Sequence, residues 1–170
     1  MRGEMKNVSV VLLICGLGLF NVQTAASQSA IEHHVWQDKR SFEPYSRTAE
    51  AITGIIQLSG NKDFATPGSK MTITFKNGKK AQLTSVGASR RQWSDFGDQK
   101  TTAEVFKFAK DPGVLLNGNS LCGIPATFIV FSENSSSLSD ILSVAVFSSK
   151  KAPWDINSPG LCGTFNYEAK

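Results

Sequence analysis

Residues 71–86 read Met-Thr-Ile-Thr-Phe-Lys-Asn-Gly-Lys-Lys-Ala-Gln-Leu-Thr-Ser-Val, and this stretch decides the fold class. Met71, Ile73 and Phe75 alternate with Thr72 and Thr74, the period of two that sends successive side chains to opposite faces of a strand. Asn77-Gly78 supplies turn chemistry between this run and the next. Two registers compete. A two-residue loop at Asn77-Gly78 pairs Ile73 with Gln82 and Met71 with Thr84, which mixes apolar and polar side chains on one face. A three-residue loop over 76–78 pairs Ile73 with Ala81 and Met71 with Leu83, and the apolar face is then continuous. A slip of one residue destroys that face. The stretch therefore predicts a hairpin with a three-residue turn and Gly78 left-handed in a bulge.

The same texture extends in both directions. Runs at 51–58, 101–109, 126–131, 141–147 and 164–167 read as further strands, rich in β-branched and aromatic residues. Pro67-Gly68, Asp111-Pro112-Gly113 and Asn117-Gly118-Asn119 are turn signals between them, and 133–139 reads as a serine-rich loop. Residues 86–100 are charged and irregular and read as an exposed loop or a short helix. Seven or eight short strands, with no convincing amphipathic helix beyond the N-terminal region, predict an all-β fold. The choice lies between a single antiparallel β-sandwich and a small β-barrel. No repeat and no linker divides it.

The N-terminus reads as a secretory signal. Arg2 and Lys6 give a positive start, Glu4 dilutes it, and 8–20 is apolar but for Ser9. That run is too short for a spanning helix, which needs about 20 residues. Small residues Thr24-Ala25-Ala26-Ser27 follow, and cleavage after Ala26 or Ser27 suits a signal peptidase. Cys15 lies inside the apolar run behind Ile14, which is not a lipidation pattern. The expected organisation is a signal peptide over 1–26, a flexible segment over 27–46 and a β-domain over 47–170, with no transmembrane segment in the mature chain.

Without Arg2, Lys6 and Glu4 the chain keeps 16 basic and 13 acidic residues, a net charge of +3. That is mild. It suits an anionic partner, but nucleic-acid binders carry denser basic patches, and none is expected here. Two cysteines, Cys122 and Cys162, survive maturation, and an even pair in an exported chain is most simply one disulfide. Closing that loop is worth about 4 kcal/mol on the chain-entropy argument. Each cysteine sits in a Leu-Cys-Gly tripeptide, where the glycine would let two backbones approach closely.

Few residues offer chemistry. His33 and His34 are neighbours, which a strand would point to opposite faces, so they do not suit one metal. No serine lies in a nucleophile-elbow pattern. Asp95 and Asp98 could flank a glycosidic bond only if the fold faced them across a cleft. No catalytic residue, metal site or cofactor is therefore expected. Two clusters suit binding instead. Arg90, Arg91, Trp93 and Phe96 form one, and Lys150, Lys151 and Trp154 form the other. Arginine and tryptophan dominate interface energetics.

The segment Leu115-Leu116-Asn117-Gly118-Asn119-Ser120-Leu121-Cys122-Gly123, then an apolar strand, then Leu161-Cys162-Gly163-Thr164-Phe165-Asn166-Tyr167-Glu168, resembles a group of small exported alphaproteobacterial proteins. The resemblance covers roughly 52–168 and implies export and a Cys122–Cys162 bridge, but no activity. Ser85-Val86-Gly87-Ala88 is loosely similar to the Ser-Gly-Ala segment of periplasmic lysozyme inhibitors, which are small disulfide-bonded β-barrels; Val86 interrupts the match. Lysozymes are basic, and a chain of +3 lacks the opposite charge that speeds association.

The expectation from sequence is an exported, non-enzymatic binding domain, periplasmic or secreted, that contacts a protein or an anionic envelope component. A hydrolase inhibitor is the alternative, and a glycan-acting enzyme using Asp95 and Asp98 is a more distant one.

Overall fold

A computed structural model describes residues 41–60, 66–93, 100–136 and 139–169, all within the compact unit Ile31–Lys170. The expected signal peptide, His33, His34, Asp95, Phe96 and Asp98 lie outside the described residues.

The strands, in order, are β1 Ser41–Pro44, β2 Ile56–Gly60, β3 Lys70–Phe75, β4 Lys80–Gln92, β5 Lys100–Phe108, β6 Phe128–Ser136, β7 Ser139–Phe147 and β8 Leu161–Ala169. Each pairs antiparallel with its neighbours in the chain, and β1 also pairs with β8, so the sheet closes into an eight-stranded barrel. Closure decides between sandwich and barrel. It leaves no edge strand to be managed, and eight strands enclose a space that side chains just fill.

The 71–86 hairpin has the expected register, Ile73 opposite Ala81 and Met71 opposite Leu83. Its turn is closed by Phe75 N–H to the Lys79 carbonyl at 2.9 Å and Gly78 N–H to the Phe75 carbonyl at 2.8 Å. Gly78 has φ +81°, the left-handed conformation that a Cβ disfavours. Met71, Ile73, Phe75, Ala81 and Leu83 all point into the barrel and join one core with Phe106, Phe131, Val144 and Phe165. Phe106 and Phe131 meet edge to face, ring centres 5.7 Å apart. The outward faces of β3 and β4 are polar and cross-linked, with Gln82 Nε2 on Thr72 Oγ1 at 2.9 Å and Lys70 Nζ on Thr84 Oγ1 at 2.6 Å. On β3 and β4 an apolar interior under a polar exterior is the reverse of the pattern of a membrane-spanning barrel. Among the described residues no helix is long and apolar enough to cross a membrane.

The structure departs from the sequence reading at four places. A six-residue helix, α1 (Arg47–Ile52), stands where a strand was expected to begin. Ser46 caps it, its Oγ accepting from Ala49 N–H at 3.2 Å, and this local bond outweighs the strand propensity of Ala51-Ile52. The barrel begins at Ser41, ahead of the expected start at 47, because Phe42 is a buried core residue. Within 86–100, expected as loop or helix, β4 runs on as strand to Gln92, paired with β5. The serine-rich 133–139 stretch is largely strand: β6 continues to Ser136 and β7 starts at Ser139.

One end of the barrel carries α1 and the connections after β3, β5 and β7. Ala49 of α1 packs into the core, and Asn117 Nδ2 donates to the Ala51 carbonyl at 3.0 Å. Thr53 Oγ1 donates to the Ala49 carbonyl at 2.8 Å and lies 2.6 Å from the Tyr167 hydroxyl. Since the one hydroxyl proton of Thr53 is committed to Ala49, Tyr167 is the donor of the second bond. Burial pushes the Tyr167 phenol above its ordinary value.

Cys122 and Cys162 form a disulfide with their Cα atoms 5.3 Å apart, the usual span. It fastens the β5–β6 connection to the start of β8. Gly163 permits that approach: a Cβ there would sit 2.8 Å from the Leu121 carbonyl oxygen and 3.0 Å from the Phe165 ring. Gly123 plays no such part, since a Cβ there would meet nothing within 4 Å. The close-approach reading of the paired Leu-Cys-Gly tripeptides holds for one glycine and not the other.

Candidate binding face

The outer surface of β5–β7 is not polar like the rest. Alternation sends Ala103 and Val105, Phe128 and Val130, and Ala145 and Phe147 outward, opposite the side chains that fill the barrel. They form a second apolar cluster with Trp93, Ile156 and Ala152. These strands are buried on both faces, which explains why 126–131 and 141–147 read as nearly unbroken apolar runs. Their cover is the connection between β7 and β8, a strap over 148–160.

Local bonds shape the strap. Ser148 N–H donates to the Gly160 carbonyl at 2.7 Å, closing its base. Thr127 Oγ1 donates to the Ser149 carbonyl at 2.8 Å and accepts from Ser149 N–H at 2.9 Å. Farther out, Ser158 Oγ accepts from Trp154 N–H at 2.8 Å and Asp155 N–H at 3.1 Å, and the Asp155 carboxylate takes Asn157 N–H at 2.9 Å. Ile156 N–H then reaches the Gln92 carbonyl at 2.8 Å, tying the strap to the end of β4. With Pro153 and Ile156 buried beneath, Trp154 is left 56% exposed.

The β4 side contributes a bulge. Ser85 opposes Phe106 and Gly87 opposes Val105, so Val86 is an extra residue. Ser85 Oγ accepts from Gly87 N–H at 3.2 Å and steadies the bulge, and Val86 is left 42% exposed. Beyond it, Ser89 and Arg91 oppose Ala103 and Thr101, which puts them on the outer face beside the strap. Trp93 turns back onto that face, donating Nε1–H to the Ser89 carbonyl at 3.3 Å.

Trp154 separates two grooves. One, of about 270 Å³, runs between it and Val86, Ser89 and Arg91. The other, of about 410 Å³, lies between it and Lys150, Lys151 and Pro159. Ala152 and Pro153 belong to both. Arg91, Lys150 and Lys151 are exposed. Ser89 Oγ, which borders the smaller groove, is buried with no hydrogen-bond partner among the described residues.

The two clusters singled out from sequence thus converge through Arg91, Lys150, Lys151 and Trp154. Two of their members do not line the grooves. Trp93 is 2% exposed and forms the foundation of the face rather than a contact. Arg90 is exposed but opposes Thr102, on the other side of the strand from Arg91. Sequence reasoning missed Val86 and Ser89; a lone glycine inside a strand pattern, Gly87, is the signal that could have marked the bulge. Among the described residues no three His, Cys, Asp or Glu side chains come together as a metal site. No family model, curated protein or solved structure matches this chain.

Proposed function

We propose that this protein is an exported, non-enzymatic binding domain, periplasmic or secreted, that takes an anionic partner on the face built around Trp154. The observation that carries this reading is the convergence of Arg91, Lys150 and Lys151 around one half-exposed tryptophan that the strap holds out of the core. An exposed aromatic ringed by cations, on a scaffold already ordered, loses little entropy on binding and favours negative partners. The N-terminal signal pattern and the Cys122–Cys162 bridge support an oxidising compartment.

The test is a photoreactive side chain placed at position 154 in the exporting cell, compared with the same group at Gln57. Gln57 is an exposed residue of β2, on the far side of the barrel. A discrete adduct from 154 alone, weakened by Arg91→Glu or Lys150→Glu, is the expected result. Equal labelling from both positions, or none, refutes the face.

A second reading has one observation in its favour. The Ser85–Ala88 stretch that is loosely similar to lysozyme inhibitors borders this same face. Inhibition of a lysozyme in a turbidity assay, lost in Val86→Asp, would support it; no inhibition at equimolar excess removes it.

A further inference from the structure

We infer that the occupant of this face is an acidic peptide segment of a partner protein, seating an apolar or proline side chain against Trp154 with carboxylates to either side. The inference rests on the binding-face reading and names its ligand.

The hydrogen-bonding capacity of the larger groove argues for it. Ser149 Oγ donates to the Lys151 carbonyl at 2.7 Å, and Ser158 Oγ is committed to the Trp154 and Asp155 N–H groups. No Asp, Glu, Asn or Gln lines this groove. Carboxylate and amide side chains are the usual partners of saccharide ring hydroxyls; this groove has none, and of its two serines only Ser149 keeps acceptor capacity. What remains is apolar surface from Ala152, Pro153, Trp154 and Pro159, together with the ammonium groups of Lys150 and Lys151. That combination suits an apolar side chain whose neighbours are acidic. The groove is open along the surface, so a lipid chain laid in it would keep one side in water.

The smaller groove extends the match. Arg91 lines this groove and Lys150 and Lys151 line the other, and Trp154 belongs to both, so each groove beside the anchor carries a cation. A guanidinium pairs with a carboxylate in two parallel hydrogen bonds, which fixes direction as well as charge. The strap is already held to β4 through Ile156 and Gln92, and tryptophan and proline lose few rotamers on contact.

The experiment selects a displayed library of random twelve-residue peptides on the purified, oxidised protein, with counter-selection on Trp154→Ala. Polygalacturonate and phosphatidylglycerol vesicles are assayed in parallel. The expected result is peptides sharing one apolar, aromatic or proline residue with Asp or Glu within three positions. Their affinity should fall about tenfold or more in Trp154→Ala and in Lys150→Glu/Lys151→Glu. The double charge variant leaves Trp154 in place, and the melting temperature of each variant is checked. Selected peptides without acidic bias, or ones that bind Trp154→Ala equally, overturn the inference. Binding of polygalacturonate or vesicles that depends on Trp154, with no acidic peptide selected, overturns the peptide assignment and leaves the binding face standing. No Trp154-dependent binding to any probe overturns both.

Discussion

The backbone N–H of Ile156 donates to the carbonyl of Gln92 across 2.8 Å, joining the middle of the β7–β8 strap to the last residue of β4. Through this bond, residues more than sixty positions apart form one face. Ile156 and Trp93 bury side by side beneath it, and Arg91 and Trp154 stand above it.

The two tryptophans should therefore respond oppositely to truncation. Trp93→Ala empties the second apolar cluster and should cost about 3–5 kcal/mol. Trp154→Ala removes a half-exposed ring and should stay within about 0.5 kcal/mol of the parent, apart from small loop effects. Urea unfolding of both variants checks this; equal costs would refute the division into foundation and contact.

Reducing the Cys122–Cys162 bridge should lower stability by about 4 kcal/mol, the loop-closure value for a separation of 40 residues. The measurement is the denaturation midpoint of the oxidised protein against Cys122→Ser/Cys162→Ser. Neither cysteine lines the Trp154 grooves, so binding by folded protein should survive the change.

Gly163→Ala and Gly123→Ala form a matched pair at the two Leu-Cys-Gly sites. The first forces a methyl toward the Leu121 carbonyl and the Phe165 ring and should cost about 1–3 kcal/mol. The second meets nothing within 4 Å and should be nearly neutral. Thermal melts of the two variants decide it.

Tyr167 makes stability sensitive to alkali. Its folded phenol titrates above the ordinary value of 10, so the folded state holds the proton more tightly than the unfolded chain. That contribution is fully present below pH 10 and is lost as pH rises above it. Ionisation also ends the donated bond to Thr53. Tyr167→Phe should cost about 1 kcal/mol at neutral pH and flatten the decline between pH 10 and 11.5. Urea midpoints at pH 7.5 and 11 compare the two proteins.

If the N-terminal signal acts as proposed, protein recovered from the exporting cell should begin at Ser27 or Gln28. Its intact mass should be two daltons below that of the reduced chain. A recovered protein that retains Met1 would refute export by this route.

The 71–86 hairpin was legible because its information is local. Alternation of Met71, Ile73 and Phe75, together with Gly78, leaves one register with a continuous apolar face. The apolar runs of β6 and β7 were legible as buried strands for the same reason, but not the cause of their unbroken character. That cause is the strap, which contacts them from a distant part of the chain. Helix α1 was missed because Ser46, a capping residue three positions before Ala49, prevails over the strand preference of the apolar residues that follow.

Alternation, turn chemistry and the paired cysteines were enough, as sequence alone, to determine an all-β domain of about eight strands with one bridge. They act between near neighbours or by simple count. Barrel closure, the bulge at Val86 and the fates of the two tryptophans were decided only by tertiary structure. Arg-Arg-Gln-Trp and Lys-Lys-Ala-Pro-Trp are similar strings, each an aromatic following a basic pair. One tryptophan is 2% exposed and the other 56%, because the second apolar cluster takes in Trp93 while the Ser158 and Gln92 bonds hold the strap with Trp154 outward.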